Sequence, residues 1–371
     1  MPKRRRSSGR DGGRAANHPR KKRLYLVFDD WLWGYSIRKV DLYADADESK
    51  ATQLPSKSNV HGDDVPRPPP AAFRLAGWVG YSGSVAAAFG TKILVVHPTL
   101  FDFGSHPPVP SCVVPVLDVH TRCLRYGPQP EVLQQQPGGG GGGGQRWRRW
   151  EKLRMPPFNP RHVASYAVHP DGRTIFVSTS VDERTFTFDS SQEAKFRWKR
   201  NGKWRLPFAG RAHFDGRLDA WVGLSGDPST AGHLCASDVA DVPSSSSSSR
   251  HGRRCPAFKI SKEKLFGDDP AEKHVGATLV YIGGGSRSDF CLVQCICVEE
   301  DDGMDPDRMI YVQNKEDLER PFRFLVRLTT FSLKYDKNGD LTIGSSGRVR
   351  CFRAPKGCSE FSLNAPVAFW M

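Results

Sequence analysis

The sequence predicts an all-β fold, a β-propeller of about six blades, from three observations. The stretch Tyr166–Ser180 reads as two apolar runs around an Asp-Gly turn and recurs at Ala212–Ser225, where His169-Pro170-Asp171-Gly172-Arg173 is echoed by His213-Phe214-Asp215-Gly216-Arg217. The two glycines lie 44 residues apart, within the roughly 40 to 50 residues that one propeller blade occupies. The chain is also cut into many short runs by 36 Gly and 28 Pro, as all-β architectures require. Those runs number about eighteen to twenty, enough for five or six blades of three or four strands, one of them incomplete. At the turns, Gly takes a positive φ without steric cost and Asp tolerates it, which singles out Asp171, Gly172, Asp215 and Gly216, with Asn338 and Gly339 as a further pair.

Residues 1–23 hold ten Lys or Arg against Asp11 alone and almost nothing apolar, so this segment cannot bury enough surface to order itself and reads as a disordered basic tail. It carries +9 of the net +14, leaving +5 for the rest of the chain. The charge excess therefore says little about any binding face on the folded body. Lys3-Arg4-Arg5-Arg6 and Arg20-Lys21-Lys22-Arg23 together have the form of a bipartite nuclear import signal, which points to a nuclear or cytoplasmic protein. Such clusters also mark nucleic-acid patches, or are simply solvated charge.

Order is expected to begin at Leu24, with Leu24–Trp31 and Tyr35–Tyr43 as strands about Trp33-Gly34 and residues 44–70 as a loop. Ala86–His97 reads as a second strand pair whose partner, Val113–Tyr126, turns at Asp118. A low-complexity insert at 134–145 contains seven consecutive glycines, a composition that holds regular structure only at high entropic cost. The cationic segment Arg146-Trp147-Arg148-Arg149-Trp150 follows it. Here, as at Trp198 and Trp204, the rings could stack bases while the cations hold phosphates, or they could pack between blades under the stems of their Arg neighbours. After the two similar hairpins, Arg184–Asp189 and Phe196–Leu206 continue the strand pattern, the latter with Asn201-Gly202 as a two-residue hairpin. A second insert at 243–254 is serine-rich, and Phe258–Phe266 is short enough for one helical turn or an irregular edge. Thr278–Ile282 pairs with Phe290–Val298, and an acidic loop, Glu299–Asp307, leads through Tyr311-Val312 to Phe324–Tyr335. Asn338-Gly339 then turns the chain into Asp340–Ile343, and Gly347–Phe352 supplies one more strand. The body is thus expected to span 24–355, with 356–371 as a C-terminal tail, and the first strand pairs with the last ones to close the ring.

The nine cysteines are odd in number and follow no regular spacing, which indicates reduced thiols rather than a disulfide framework. The first apolar run, Leu24–Phe28, is stopped by Asp29 and Asp30, so neither a secretory signal nor a membrane helix is expected. The chain has no G-x-S-x-G, Walker, H-E-x-x-H or C-x-x-C motif. His169 and His213 could converge on a metal, but their repetition beside Asp-Gly marks them as turn residues. Cys291, Cys295 and Cys297 share one strand face and read as core. Glu299–Asp307 has the composition of a calcium loop without its order. No cofactor or metal is expected. The sequence reads as a non-enzymatic scaffold that binds an unspecified protein partner through the loops of one face. Nucleic-acid association through the tail and the Arg/Trp segments is the alternative, and an enzyme with a site in the central channel is the least supported reading.

The stretches RLYLVFDDWLWGYSIRKVDLY, YAVHPDGRTIFVSTS, AHFDGRLDAWVGLSGDP and ISKEKLFGDDPAEKHVGATLVYIGGG resemble a large plant family expanded in grasses, domain of unknown function 1668, to which a kelch-like propeller is attributed. The resemblance runs from about Arg23 to Pro355. It implies architecture, and neither an activity nor site residues. The chain departs from the family pattern around residues 128–160, where a further strand pair is expected before Tyr166 and the glycine run with its Arg/Trp segment stands instead. One blade is therefore expected to be incomplete.

Overall fold

The computed structural model describes residues 22–31, 34–43, 65–76, 85–89, 92–96, 113–128, 131–135, 147–152, 156–159, 162–190, 197–242, 254–283, 287–299 and 322–371. Among them the chain is all-β, arranged in five sheets with one short α-helix. β1 (Leu24–Trp31), β2 (Gly34–Val40) and β3 (Ala71–Ala76) form an antiparallel meander. β4 (Val85–Phe89), β5 (Lys92–Val96), β6 (Val113–Asp118) and β7 (Cys123–Pro128) form a second, and β8 (Glu131–Gln135) pairs with β9 (Trp147–Lys152) alone. Two further meanders follow: β10 (Val163–Val168), β11 (Thr174–Thr179), β12 (Thr185–Asp189) and β13 (Trp198–Gly202), then β14 (Phe208–Asp215), β15 (Ala220–Ser225), β16 (His233–Ser237) and β17 (Phe258–Lys264). They join into one eight-stranded sheet because β10 and β14 pair in parallel, Ser165 with Gly210 and Ala167 with Ala212. The last meander is β18 (Glu272–Tyr281), β19 (Ser288–Glu299), β20 (Phe322–Tyr335) and β21 (Leu341–Arg353). After α1 (Glu360–Asn364), whose first turn is capped by the Ser359 hydroxyl, β22 (Val367–Trp370) returns to pair with β1, Leu24 opposite Trp370 and Val27 opposite Val367.

Period-two alternation explains how these sheets pack, since successive side chains leave a strand on opposite faces. Leu24, Leu26 and Phe28 of β1 join Cys291, Val293 and Cys295 of β19 and Val326 and Leu328 of β20 in one core. Tyr25 and Val27, the alternate residues of β1, join Ile93 of β5, Leu117 of β6 and Phe369 of β22 in another. Phe290 and Leu292 of β19 face away from Cys291 and pack on Val222 and Leu224 of β15. Trp221 of β15, pointing the other way again, packs on Phe176 of β11, Trp204 and Phe208. Four cores thus link the β4–β7 sheet, the β22-β1-β2-β3 sheet, the β18–β21 sheet, the β14–β17 meander and the β10–β13 meander in succession. The three in the middle are buried on both faces, so their strands tolerate apolar residues at consecutive positions. Among the described residues no helix is long and apolar enough to cross a membrane.

Several expectations are corrected. Residues 356–371 are not a tail, because β22 fills an edge of the first sheet and Leu363 of α1 joins its core. Nor does the basic tail extend to residue 23: Arg23 and Met371 exchange backbone hydrogen bonds (2.7 and 3.1 Å), and the Arg23 guanidinium pairs with Asp41 at 3.0 Å. The strand pair expected to be missing before Tyr166 is present as β8 and β9, with the glycine run in the connection between them. Asn201-Gly202 forms no hairpin but ends β13, with Gly202 opposite Thr185. A Cβ at Gly202 would stand 2.0 Å from Trp204 Nε1, so this glycine makes room for an indole. Phe258–Lys264 is an edge strand with a register shift against β16, the irregular edge of the two readings and not a helical turn; the stretches at 340–343 and 347–352 are one strand, and Ala71–Ala76 is a further strand. Residues 1–21, Arg146, Tyr311-Val312 and the inserts at 136–145 and 243–253 lie outside the described residues.

Candidate functional site

Three acidic turns gather at one end of their sheets. The parallel pairing of β10 and β14 sets the turns at 169–173 and 216–219 side by side. Ser288, at the start of β19, pairs with Leu333 and so brings the turn at 336–340 to the same end. In each turn one carboxylate oxygen gathers backbone amides that the tight reversal leaves without ladder partners. Asp171 Oδ1 accepts from the amides of Arg173 and Thr174, both at 2.8 Å, and its Oδ2 accepts from the Thr174 hydroxyl at 2.7 Å. Asp215 Oδ1 accepts from Arg217 N at 2.9 Å and Leu218 N at 3.0 Å, and Asp336 Oδ1 from Asn338 N at 2.8 Å and Asp340 N at 2.9 Å. Asp118 repeats the Asp215 pattern with His120 N at 2.9 Å and Thr121 N at 3.2 Å. Burial pushes the Asp171 carboxyl up, but the Thr174 and Arg173 amides and the Thr174 hydroxyl outweigh it and hold the group below its ordinary value.

The turns differ from the two-residue Asp-Gly and Asn-Gly reversals the sequence suggests. Gly172 takes φ +68° and Gly339 φ +77°, but Gly216 has no positive φ, and Asp219 (φ +49°) carries the left-handed residue of its turn. Asn338-Gly339 sits inside a loop closed by Asp336 N and Asp340 O at 2.9 Å.

Two of these turns also hold neighbouring sheets. Asp215 is fully buried and accepts a further hydrogen bond from the Ser288 hydroxyl at 2.9 Å, across to β19. Lys262 of β17 reaches Asp336 at 2.8 Å and Asp340 at 2.9 Å, tying the β17 edge to the β20–β21 turn. Its hydrogen bond is also what draws the Asp336 carboxyl down to about 2. The Trp221 indole N–H donates to Val168 O at 2.9 Å and fastens the two similar hairpins to each other.

His169 and His213 do not converge. His169 stays in its turn, where its Nδ1 accepts from the Asp171 amide at 3.2 Å. His213 lies on β14 rather than in a turn, and its Nε2 donates to Leu279 O of β18 at 2.9 Å. Because a carbonyl can only accept, that nitrogen carries the proton. Burial, with the charge of Arg211 adding to it, pushes the His213 pKa down to about 3, so the ring is neutral at pH 7.

Cys291 and Cys295 are buried free thiols pushed up to about 12 by burial, and Cys297 lies buried on the same strand. Among the described residues no group of three or more His, Cys, Asp or Glu is placed to hold a metal. Trp147–Lys152 form β9, with a register shift between its pairs Leu133–Trp150 and Gln135–Trp147. Trp198 packs edge-on to Phe158 with ring centroids 5.1 Å apart, and Trp204 is buried in the core between the two hairpins. A cavity of about 380 Å³ lies beside it, lined by Asn201, Asp238, Asp241 and Arg254 among others. The buried Asn201 carboxamide, without a hydrogen-bond partner at either heteroatom, and the Asp215–Ser288 bridge were not readable from sequence, since both depend on what distant segments bring alongside.

Successive antiparallel sheets locked by carboxylate-capped turns define an all-β protein built of repeated meanders. The chain belongs to the family described as a protein of unknown function, DUF1668, whose model matches residues 21–352. No curated protein matches it. Among solved structures it is similar to the crystal structure of TolB from Acinetobacter baumannii, at 11% identity over 90% of this chain and 67% of that one, with a TM-score of 0.29.

Proposed function

We propose that the chain is a kelch-like β-propeller scaffold, without catalytic activity of its own, that binds a protein partner through the face formed by its turns. One observation carries this reading: β22, from the far end of the chain, joins the sheet of β1, and cores link that sheet on one side to β4–β7 and on the other through β18–β21 and β14–β17 to β10–β13. A strand borrowed from the opposite terminus is how a ring of sheets closes without an open edge. The scaffold reading is supported by the use of the recurrent carboxylates, whose Oδ1 atoms take backbone amides and, at Asp215, the Ser288 hydroxyl, and of His213, which bonds to the next sheet. The basic clusters at 3–6 and 20–23 direct this scaffold to the nucleus.

The closure is tested by removing residues 366–371 and, separately, by joining the natural ends and reopening the chain between residues 97 and 112. A ring predicts that the deletion abolishes cooperative unfolding and that the permuted chain unfolds with the native midpoint. A deletion that leaves the midpoint unchanged rejects closure. The partner is tested by affinity purification of the intact protein against Arg173→Glu with Arg217→Glu; an unchanged set of co-purifying proteins rejects the turn face. Replacing residues 3–6 and 20–22 with alanine in a fluorescent fusion, with Arg23 left to pair with Asp41, tests the address, and an unaltered distribution rejects it.

A further inference from the structure

We propose that the seam where the two chain ends meet holds a pocket for a methylated ammonium group, carried on a lysine side chain of a partner protein. This deepens the protein-binding reading above and rests on it. The pocket is a cavity of about 470 Å³ lined by Lys22, Tyr43, Ile282, Gly283, Asp289 and Trp370. Pairing of β22 with β1 sets Trp370 there, and the Tyr43 amide donates to Asp41 Oδ1 at 3.0 Å, the same residue that pairs with Arg23. Tyr43 is 48% exposed, and its ring meets that of Trp370 edge-on, with centroids 6.1 Å apart and planes at 77°. Two aromatic walls therefore stand at nearly a right angle over one cavity.

The third wall is acidic. Ile282 N donates to Asp289 O at 3.0 Å and holds Asp289 at the cavity, while among the described residues its carboxylate makes a loose ion pair with the exposed Arg287, at 3.9 Å. Asp289 lines the same cavity as Tyr43 and Trp370, and after burial its negative charge pushes the Tyr43 phenol up.

Crossed aromatic faces attract a cation through their quadrupoles, most strongly one that sheds its water easily. An unmodified ammonium brings three N–H donors that each need an acceptor, and among the described lining residues Asp289 supplies the one carboxylate. A trimethylated ammonium lays its methyls on the rings, has no N–H that needs an acceptor and takes its charge balance from Asp289. Lys22, exposed at the rim, repels a bare small cation but pairs with a carboxylate next to the modified lysine. That favours a peptide with an acidic flank over a free choline-like ion.

The test is a titration of the full chain, followed by tryptophan fluorescence or by NMR, with a short peptide carrying trimethyllysine next to glutamate. The unmodified peptide, a peptide with the neutral tert-butyl isostere in place of the trimethylammonium, and choline are titrated in parallel. The modified peptide should bind about fivefold more tightly than either control peptide, the size a solvent-exposed cation–π contact confers. Tyr43→Phe should keep that preference, Tyr43→Leu should remove it, and Asp289→Asn should weaken binding about fivefold. Tyr43 is half exposed, so the Leu variant should retain the native unfolding midpoint. Equal binding of the neutral isostere, or indifference to Tyr43→Leu, overturns the pocket; choline binding as tightly as the peptide overturns the lysine as its source. None of these outcomes touches the deletion and permutation tests, so failure of the pocket is distinguishable from failure of the scaffold.

Discussion

The hairpins around Asp171 and Asp215 share the sequence His-x-Asp-Gly-Arg, yet they turn differently and serve differently. In the first, β10 stops at Val168, and the last ladder contact is His169 N to Thr174 O at 2.8 Å. In the second, β14 runs on to Asp215, with Phe214 opposite Trp221 and Asp215 opposite Ala220. The residue that differs is Pro170, which has no amide to give the ladder where Phe214 has one. The carboxylates follow suit. Asp171 is partly exposed and, among the described residues, bonds within its own turn, while Asp215 is fully buried and also takes the Ser288 hydroxyl of the next sheet. The same five-residue pattern thus makes a local cap in one place and an inter-sheet clamp in another, and the neighbouring sheet decides which.

The largest consequence is at the two aspartates. Asp171→Ala loses a turn cap and should cost about 1 kcal/mol. Asp215→Ala strands two amides and a buried hydroxyl together and should cost about 3 kcal/mol. Urea denaturation of both variants measures the gap. A double-mutant cycle with Ser288→Ala should find a coupling of about 1 kcal/mol at Asp215 and none at Asp171. Equal losses at the two positions would mean that both turns act only locally.

The next contrast is in pH. His213 has a folded pKa of about 3, below its ordinary value of 6.5, so between those values the unfolded chain binds a proton that the folded chain refuses. Its contribution to stability is complete above pH 6.5 and is lost as pH falls, by about 1.4 kcal/mol per unit. His213→Gln keeps a donor for Leu279 O without titrating. Its unfolding midpoint should fall less steeply than that of the parent between pH 6.5 and 5, above the range where carboxylates respond. Parallel curves would mean that His213 is not held as a neutral, buried ring against Leu279 O.

Much of this fold is legible locally. Alternation and turn residues mark most strands, and even the Pro170/Phe214 difference that separates the two turns is written in the chain. What local reading misses is decided at a distance. Asn201-Gly202 has the strongest short-range hairpin pattern there is, but the Trp204 indole occupies the space over Gly202 and β13 ends there instead. The last strand, β22, has only four residues and acquires meaning only when β1 is alongside. Phe258–Lys264 alternates charge more than apolarity and is a strand because β16 offers it an edge. Of the candidate residues, the turn aspartates could be read from sequence, but Ser288, 73 residues from Asp215, and the crossed rings of Tyr43 and Trp370 could not, since no spacing rule connects them.

The smallest expected effect is the most discriminating. A Cβ on Gly172 would meet nothing within 4 Å, and one on Gly216 only Phe214 Cε1 at 3.8 Å, so neither site is short of space. They differ in conformation alone: Gly172 holds φ +68°, while in the other turn the left-handed residue is Asp219. Gly172→Ala should therefore cost about 1 kcal/mol, and Gly216→Ala should be neutral or stabilise by a few tenths, since alanine narrows the unfolded ensemble. The position in the first hairpin that corresponds to Asp219 is Ile175, a β-branched residue that resists positive φ. Pro170→Phe by itself should then leave the Gly172→Ala cost in place, because Ile175 still blocks the alternative turn. Pro170→Phe with Ile175→Asn should reduce that cost, as the first hairpin becomes free to adopt the turn of the second. A cost that persists in the double background would mean that something outside the five shared residues sets the register.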